Sequence, residues 1–134
     1  MTEVASLLEG PSPAVLTTYR KDGTALVTPV WFRHREGVFE VVIAEGDVKL
    51  QHLRRDPRCS LVVFEAVPPF RGLEVRGAAE LLECDAGPIR EEIASRYLGV
   101  EDGRRFAAER TRPGVLLPLA GDQRKWDLSA ILPS

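Results

Sequence analysis

A basic excess is the first thing this sequence lacks. Lys and Arg number 18 against 20 Asp and Glu, a formal net charge of -2, so the cationic surplus on which a nucleic-acid or anionic-membrane binder draws is missing. Long hydrophobic runs are missing as well. The longest, such as residues 60–64 and 115–119, fall far short of the roughly 20 residues that cross a bilayer. The start Met1-Thr2-Glu3-Val4 has neither the basic residues nor the apolar stretch of a secretory signal, and the expected compartment is the cytoplasm. Only two cysteines, Cys59 and Cys84, and two histidines, His34 and His52, are present, with no metal-type spacing and no His paired with a thiol. Cys59 falls in an apolar strand pattern, where cysteine acts as a small hydrophobe. A Ser-His-Asp set, a zinc site, a Walker loop, a 20–50-residue repeat and the βαβ alternation of a dinucleotide-binding domain are all absent.

What remains is a chain of 134 residues, 44% hydrophobic and 28% charged, with 11 Gly and 10 Pro, the composition of one folded domain. Val4, Leu7 and Leu8 recur at helical spacing behind Thr2, a candidate N-cap, and the segment stops at Gly10-Pro11. From Ala14 the pattern turns to strands. Ala14 to Arg20 and Ala25 to Arg35 flank the turn Lys21-Asp22-Gly23-Thr24, a hairpin signal. Glu36-Gly37 then leads to a strand from Val38 to Ala44, and Pro29 marks a bulge or an edge. Asp47 is a natural N-cap for a short helix from Val48 to Arg55 that Asp56-Pro57 ends. Strands follow at Arg58 to Glu65 and Arg71 to Glu83, then a helix capped by Asp85 and ending near Gly99, a helix from Glu101 to Arg110, and strands at Gly114 to Leu119 and Lys125 to Leu132. The turn spacing predicts a mainly β domain, a closed or nearly closed antiparallel barrel with short helices.

Two constellations could hold a ligand. Lys49 and His52 are three residues apart on the short helix, close to its N-terminus, where free backbone N–H groups and a cation suit a phosphate; the alternative is a solvated basic helix, since Arg54, Arg55 and Arg58 follow. Thr28-Pro29-Val30-Trp31-Phe32 combines backbone groups freed by a proline with a flat indole, which could hold a planar heteroaromatic ring; the alternative is a core tryptophan on a bulged strand. Arg124-Lys125-Trp126-Asp127-Leu128 reads as a barrel-end plug or a dimer contact.

The order of these pieces carries a resemblance. Ala14 to Thr18, Lys21-Asp22-Gly23-Thr24, Val27-Thr28-Pro29-Val30-Trp31-Phe32, Lys49-x-x-His52-Leu53-Arg54-Arg55-Asp56-Pro57-Arg58, Gly77-Ala78-Ala79-Glu80 and Trp126-Asp127-Leu128 together resemble the pyridoxamine 5′-phosphate oxidase-like split-barrel superfamily. Within it, the chain looks most like the flavin/deazaflavin oxidoreductases of actinobacteria, in the branch that binds coenzyme F420. The resemblance implies a six-stranded antiparallel split β-barrel over residues 13–132, preceded by a helix and linker at 1–12. It also implies a homodimer with cofactor sites at the interface. Thr28, Pro29, Val30 and Trp31 would approach the ring system, and Ala44, Glu45, Gly46, Asp47, Lys49, His52 and Arg55 would border the ribityl phosphate, with Lys49 matching the family's phosphate-binding lysine.

Three positions depart from the family pattern. Asp47 stands where relatives commonly carry arginine, His52 where they carry asparagine, and Gly72 where an aromatic residue is usual. A carboxylate beside an anion weakens binding unless it caps the helix and points away, and Arg54, Arg55 and Arg58 are candidates to offset it. The activity so implied is an F420-dependent reductase of a small molecule, with the hydride chemistry borne by the cofactor and no side chain required as acid or base. The alternatives are an FMN-binding flavoprotein close to the pyridoxamine 5′-phosphate oxidases, or a split barrel that holds a flavin, haem or tetrapyrrole without turnover. A small barrel for single-stranded nucleic acid would need a basic groove interleaved with aromatics, which the acidic balance does not supply.

Overall fold

The structure, a computed structural model, describes residues 4–133. Nine strands and four α-helices follow one another as α1 (Ala5–Glu9), β1 (Ala14–Tyr19), β2 (Ala25–Val30), β3 (Arg33–Arg35), β4 (Val38–Ala44), α2 (Val48–Arg55), β5 (Arg58–Phe64), β6 (Gly72–Ala78), β7 (Leu82–Glu83), α3 (Gly87–Leu98), α4 (Val100–Glu109), β8 (Gly114–Leu119) and β9 (Asp122–Trp126), with a 3₁₀ turn at Ser129–Ile131. The Thr2 cap lies outside the described residues.

Every strand pairing is antiparallel, in two sheets ordered β2-β1-β5-β6-β9 and β3-β4-β8-β7. Six strands in one barrel are expected; the described residues form nine strands in two sheets, with no ladder joining one sheet to the other. Six strands have six or seven residues, and the additions are the shorter β3, β7 and β9. Two of these arise where a single long strand reads in sequence but the chain changes sheet. The segment from Ala25 to Arg35 divides at Trp31-Phe32 into β2 and β3, and that from Arg71 to Glu83 divides into β6 and β7. The strand expected at Lys125 to Leu132 begins earlier, at Asp122, and gives way to the 3₁₀ turn.

Alternation along each strand shows why the sheets face one another. In β1, Ala14, Leu16 and Thr18 are buried while the residues between them are half-exposed, as period-2 geometry requires. Leu61 and Val63 of β5 and Leu73 and Val75 of β6 share one core cluster with Phe39, Val41 and Ile43 of β4 and Val115, Leu117 and Leu119 of β8, an arrangement of inner faces burying each other's side chains. β2 is an edge strand, which tolerates Pro29 because a missing N–H there breaks no internal ladder.

The crossing from β2 to β3 is fastened by α3. Arg96 Nη1 donates to the Phe32 carbonyl at 2.8 Å, and its Nη2 donates to the carbonyls of Leu8 at 3.0 Å and Gly10 at 2.6 Å. Tyr97 Oη accepts from the Phe32 N–H at 3.4 Å and donates to the Ser12 carbonyl at 2.9 Å. Arg33, buried on β3, pairs with Glu40 of β4 at 2.6 Å and with Glu92 of α3. One helix thus holds the entry linker, the crossing and the start of the second sheet.

Two outcomes follow for stability. Arg96→Met keeps the aliphatic stem but leaves three carbonyls without their charged donor, and urea denaturation should show a loss of about 2 kcal/mol; an unchanged midpoint would mean that the bridge holds nothing. In the connection between β5 and β6, Arg71 bonds Glu65 at 2.7 and 2.9 Å and, through these bonds first, lowers the Glu65 carboxyl from an ordinary 4.5 to about 2. That contribution is fully present above pH 4.5 and fades as pH falls towards 2. Glu65→Gln should therefore flatten the acid limb of a stability–pH profile in that window, while leaving its shape near neutrality unchanged.

Candidate functional site

A cleft of about 230 Å³ opens where the end of β2 and the face of β4 meet the start of α2 and the α3–α4 pair. Pro29, Val30 and Trp31 form one side, Val41 to Ala44 the floor, Asp47 and Lys49 one end, and Arg90, Ile93, Phe106 and Arg110 the opposite wall. Six of the eleven residues expected from the sequence are on this lining: Pro29, Val30, Trp31, Ala44, Asp47 and Lys49.

Trp31 is not a free platform. Tyr97 stacks on it with centroids 5.1 Å apart and planes 11° from parallel, and Phe106 tilts against it at 5.1 Å and 48°. Such packing fixes the indole's orientation: half-buried Trp31 lines the cleft and is wedged against two helices.

The start of α2 follows from Asp47. Its Oδ1 accepts the Lys49 backbone N–H at 2.9 Å, the geometry of an N-cap, and its Oδ2 accepts Lys49 Nζ at 2.9 Å. Burial pushes the Asp47 carboxyl upward, but the two Lys49 bonds and the neighbouring positive charge outweigh it and leave the pKa below its ordinary value. Asp47 therefore caps the helix as expected and, in addition, holds the lysine.

The other five residues lie off the lining. His52 turns inward, where Nδ1 lies 3.0 Å from the hydroxyl of buried Thr18; it flanks the buried stripe of Leu50 and Leu53, and Thr18 supplies the partner that a buried imidazole requires. Glu45 binds Arg54 through both oxygens at 2.9 and 3.1 Å. Gly46 adopts φ of +94°, and a Cβ there would come within 2.5 Å of Arg112 Nη1. Arg55 donates to the Tyr19 carbonyl. Thr28 sits opposite Leu16 on the inward face of β2, and its buried hydroxyl has no hydrogen-bond partner among the described residues.

The cations that balance Asp47 are not those the sequence suggests. Arg54 is tied to Glu45, Arg55 to Tyr19 and Arg58 to Asp56 at 2.7 Å. Arg90 of α3 and Arg110, just beyond α4, line the cleft instead, so three cations face one carboxylate. Burial first, and then the Arg110 charge, lower the Arg90 pKa. Neither arginine is marked by a motif, and only tertiary folding brings them to Lys49. Their helical segments are legible in the sequence, but the side on which these pack is not.

A phosphorylated flavin-type cofactor fits this donor set at one end. Lys49, the first turn of α2 and the facing arginines suit an anion, and the unpartnered Thr28 hydroxyl lies in the strand that carries Pro29 and Val30. The volume is below the ~300–1,000 Å³ usual for cofactor sites, so the ring end has less wall than such a ligand needs from a single chain.

The fold is shared with known structures. A conserved hypothetical protein from Mycobacterium tuberculosis aligns at 23% identity over 100% of this chain and 90% of its own, with a TM-score of 0.78. An F420 reductase aligns at 25% identity over 92% of this chain and 98% of its own, with a TM-score of 0.69. The haem storage protein of Vibrio cholerae aligns at 14% identity over 92% and 91%, with a TM-score of 0.67. These neighbours differ in what they are named for, while the arrangement of strands and helices is common to all. A protein-family model described as pyridoxamine 5′-phosphate oxidase matches residues 1–117, a span that takes in both sheet crossings, the capped helix α2 and the lining of the cleft, and the chain accordingly belongs to the pyridoxamine 5′-phosphate oxidase family.

Proposed function

We propose that the chain is an F420-dependent reductase of a small molecule, working as a homodimer. The observation that carries this reading is the two-sided chemistry of the cleft, apolar along Val30, Ile43, Ile93 and Phe106 and cationic at Lys49, Arg90 and Arg110. Likeness to an F420 reductase across 92% of the chain supports deazaflavin over flavin.

In this reading Lys49 and the N–H groups of the first turn of α2 take the phosphate, with Asp47 yielding its hold on the lysine ammonium. The Pro29–Trp31 segment presents backbone groups to the edge of the ring system, and Tyr97 and Phe106 keep Trp31 from swinging into the space. Ile43, Ile93 and Phe106 exclude water beside the ring. When bound, the deazaflavin supplies the hydride, and the chain's part is to position it. Neither His34 nor His52 lines the cleft, so the cleft itself offers no imidazole to a haem iron.

A second copy supplies the missing wall. The outer face of the five-stranded sheet presents Val15, Val27, Pro29, Val62 and Phe64, with Val27 57% exposed. An apolar face of this kind is suited to covering by a partner.

The reading is tested by titrating the full chain, freed of ligand, with F420 and FMN in parallel while following cofactor fluorescence. F420 should bind more tightly, and Lys49→Ala should weaken it about tenfold or more through loss of a charge-assisted bond. Preference for FMN would move the chain to the flavoproteins, and binding of haem alone would end the oxidoreductase reading. Sedimentation equilibrium should give twice the mass of one chain, and Val27→Glu should shift it towards a monomer with parallel loss of F420 affinity. A monomeric protein that binds F420 undiminished would overturn the interface.

A further inference from the structure

Arg90 and Arg110 line more than the cleft. With Arg112 they also border a neighbouring recess of about 360 Å³, whose remaining lining comes from Cys84 to Gly87, Ala107, Thr111, Pro113 and Gly114. Three arginines thus line a space that Asp47 and Lys49 do not border.

Arg90 is half-buried, Arg110 and Arg112 are exposed, and each has a partner within the chain. Arg90 Nη1 donates to the Arg112 carbonyl at 3.2 Å, and Arg112 Nη1 donates to the Glu45 carbonyl at 3.4 Å. Arg110 lies over the Phe106 ring at 3.9 Å. Two glycines make room for two of the heads: a Cβ at Gly114 would lie 2.8 Å from Arg90 Nη2, and one at Gly46 would lie 2.5 Å from Arg112 Nη1.

Of three carboxylates in the vicinity, two are paired with other cations and one, Asp85, stands on the recess. Asp85 lines the recess, but its Oδ1 accepts the Gly87 N–H at 3.2 Å; Glu45 is held by Arg54 and Asp47 by Lys49. Among the described residues, none of the three arginines has a carboxylate within 4.0 Å. Like charges gathered without a counter-ion repel one another, and an anion that spans them relieves the repulsion while using the guanidinium forks that match carboxylate and phosphate oxygens.

We propose that this recess is a second anion site, separate from Lys49, which takes a small ligand bearing two or more carboxylate or phosphate groups. It does not depend on the identity of the occupant of the cleft, because its probe is the anion itself. Cys84 provides a reporter at the site. It is exposed and on the lining, whereas Cys59 is buried and its thiol is pushed up by desolvation to about 11.

The test is calorimetric titration of the full chain with citrate and, separately, with inorganic pyrophosphate, on wild type, on the double variant Arg110→Ala/Arg112→Ala and on Lys49→Ala, with folding of each checked by circular dichroism. At least one probe should bind at millimolar concentration or better, about tenfold more weakly in the double variant and within about twofold of wild type in Lys49→Ala. Preference for citrate would identify a carboxylate ligand and preference for pyrophosphate a phosphate ligand, either one supporting the site. Alkylation of Cys84 should favour iodoacetate over iodoacetamide several-fold more in wild type than in the double variant, because the local positive potential concentrates the anionic reagent. Absence of binding by both anions, equal loss in Lys49→Ala, or an unchanged alkylation ratio would overturn the proposal, while the titration of wild type with F420 tests the cleft separately.

Discussion

The fold depends on a change of sheet made within two residues. At Trp31 and Phe32 the chain leaves the edge of the five-stranded sheet and enters the four-stranded one, and the backbone groups exposed by that step have no ladder to join. Arg96 and Tyr97 satisfy them from α3. Arg96 meanwhile gathers two carbonyls at the end of α1, so a single cation unites segments far apart in sequence. Phe32 is fully buried below the crossing, and the Arg96 guanidinium lies 5.1 Å from its ring centroid, which places charge, carbonyl and aromatic face at one point.

The electrostatics of the cleft follow from the same architecture. A carboxylate at the mouth of an anion site would be unfavourable if it stood alone, but Asp47 is committed to a backbone N–H and to the lysine next to it. The positive surplus then comes from Arg90 and Arg110, placed by α3 and by the residue beyond α4. Helix capping and charge balance are therefore solved by different parts of the chain.

Much of the fold is legible from the residues. The Asp-Gly turn, the Asp47 cap, the ends of α2 and the run from Gly114 to Leu119 appear where local chemistry places them. The sheet crossings are not legible, because alternation continues through Trp31-Phe32 and nothing local states that the hydrogen-bonding partner changes. Half of the site is readable for the same reason: Lys49, Asp47 and the Pro29–Trp31 segment belong to local motifs, while Arg90, Phe106 and Arg110 reach the cleft only through the packing of the α3–α4 pair. His52 shows the converse. Its spacing from Lys49 suggests a shared ligand, yet Thr18, 34 residues earlier in the chain, claims the imidazole for the interior.

The α3–α4 pair is attached through one helix and meets the cleft with both. The residues that clamp it to the sheets, Glu92, Arg96 and Tyr97, all belong to α3, whereas Phe106 and Arg110 meet the cleft from α4 and its end. The unit is in effect a jaw whose hinge plate lies on α3 while its biting surface runs across both helices, since Arg90 and Ile93 of α3 also line the cleft. Substitutions at Phe106 or Arg110 can therefore change what the cleft admits while the hinge plate and the sheets behind it stay as they are.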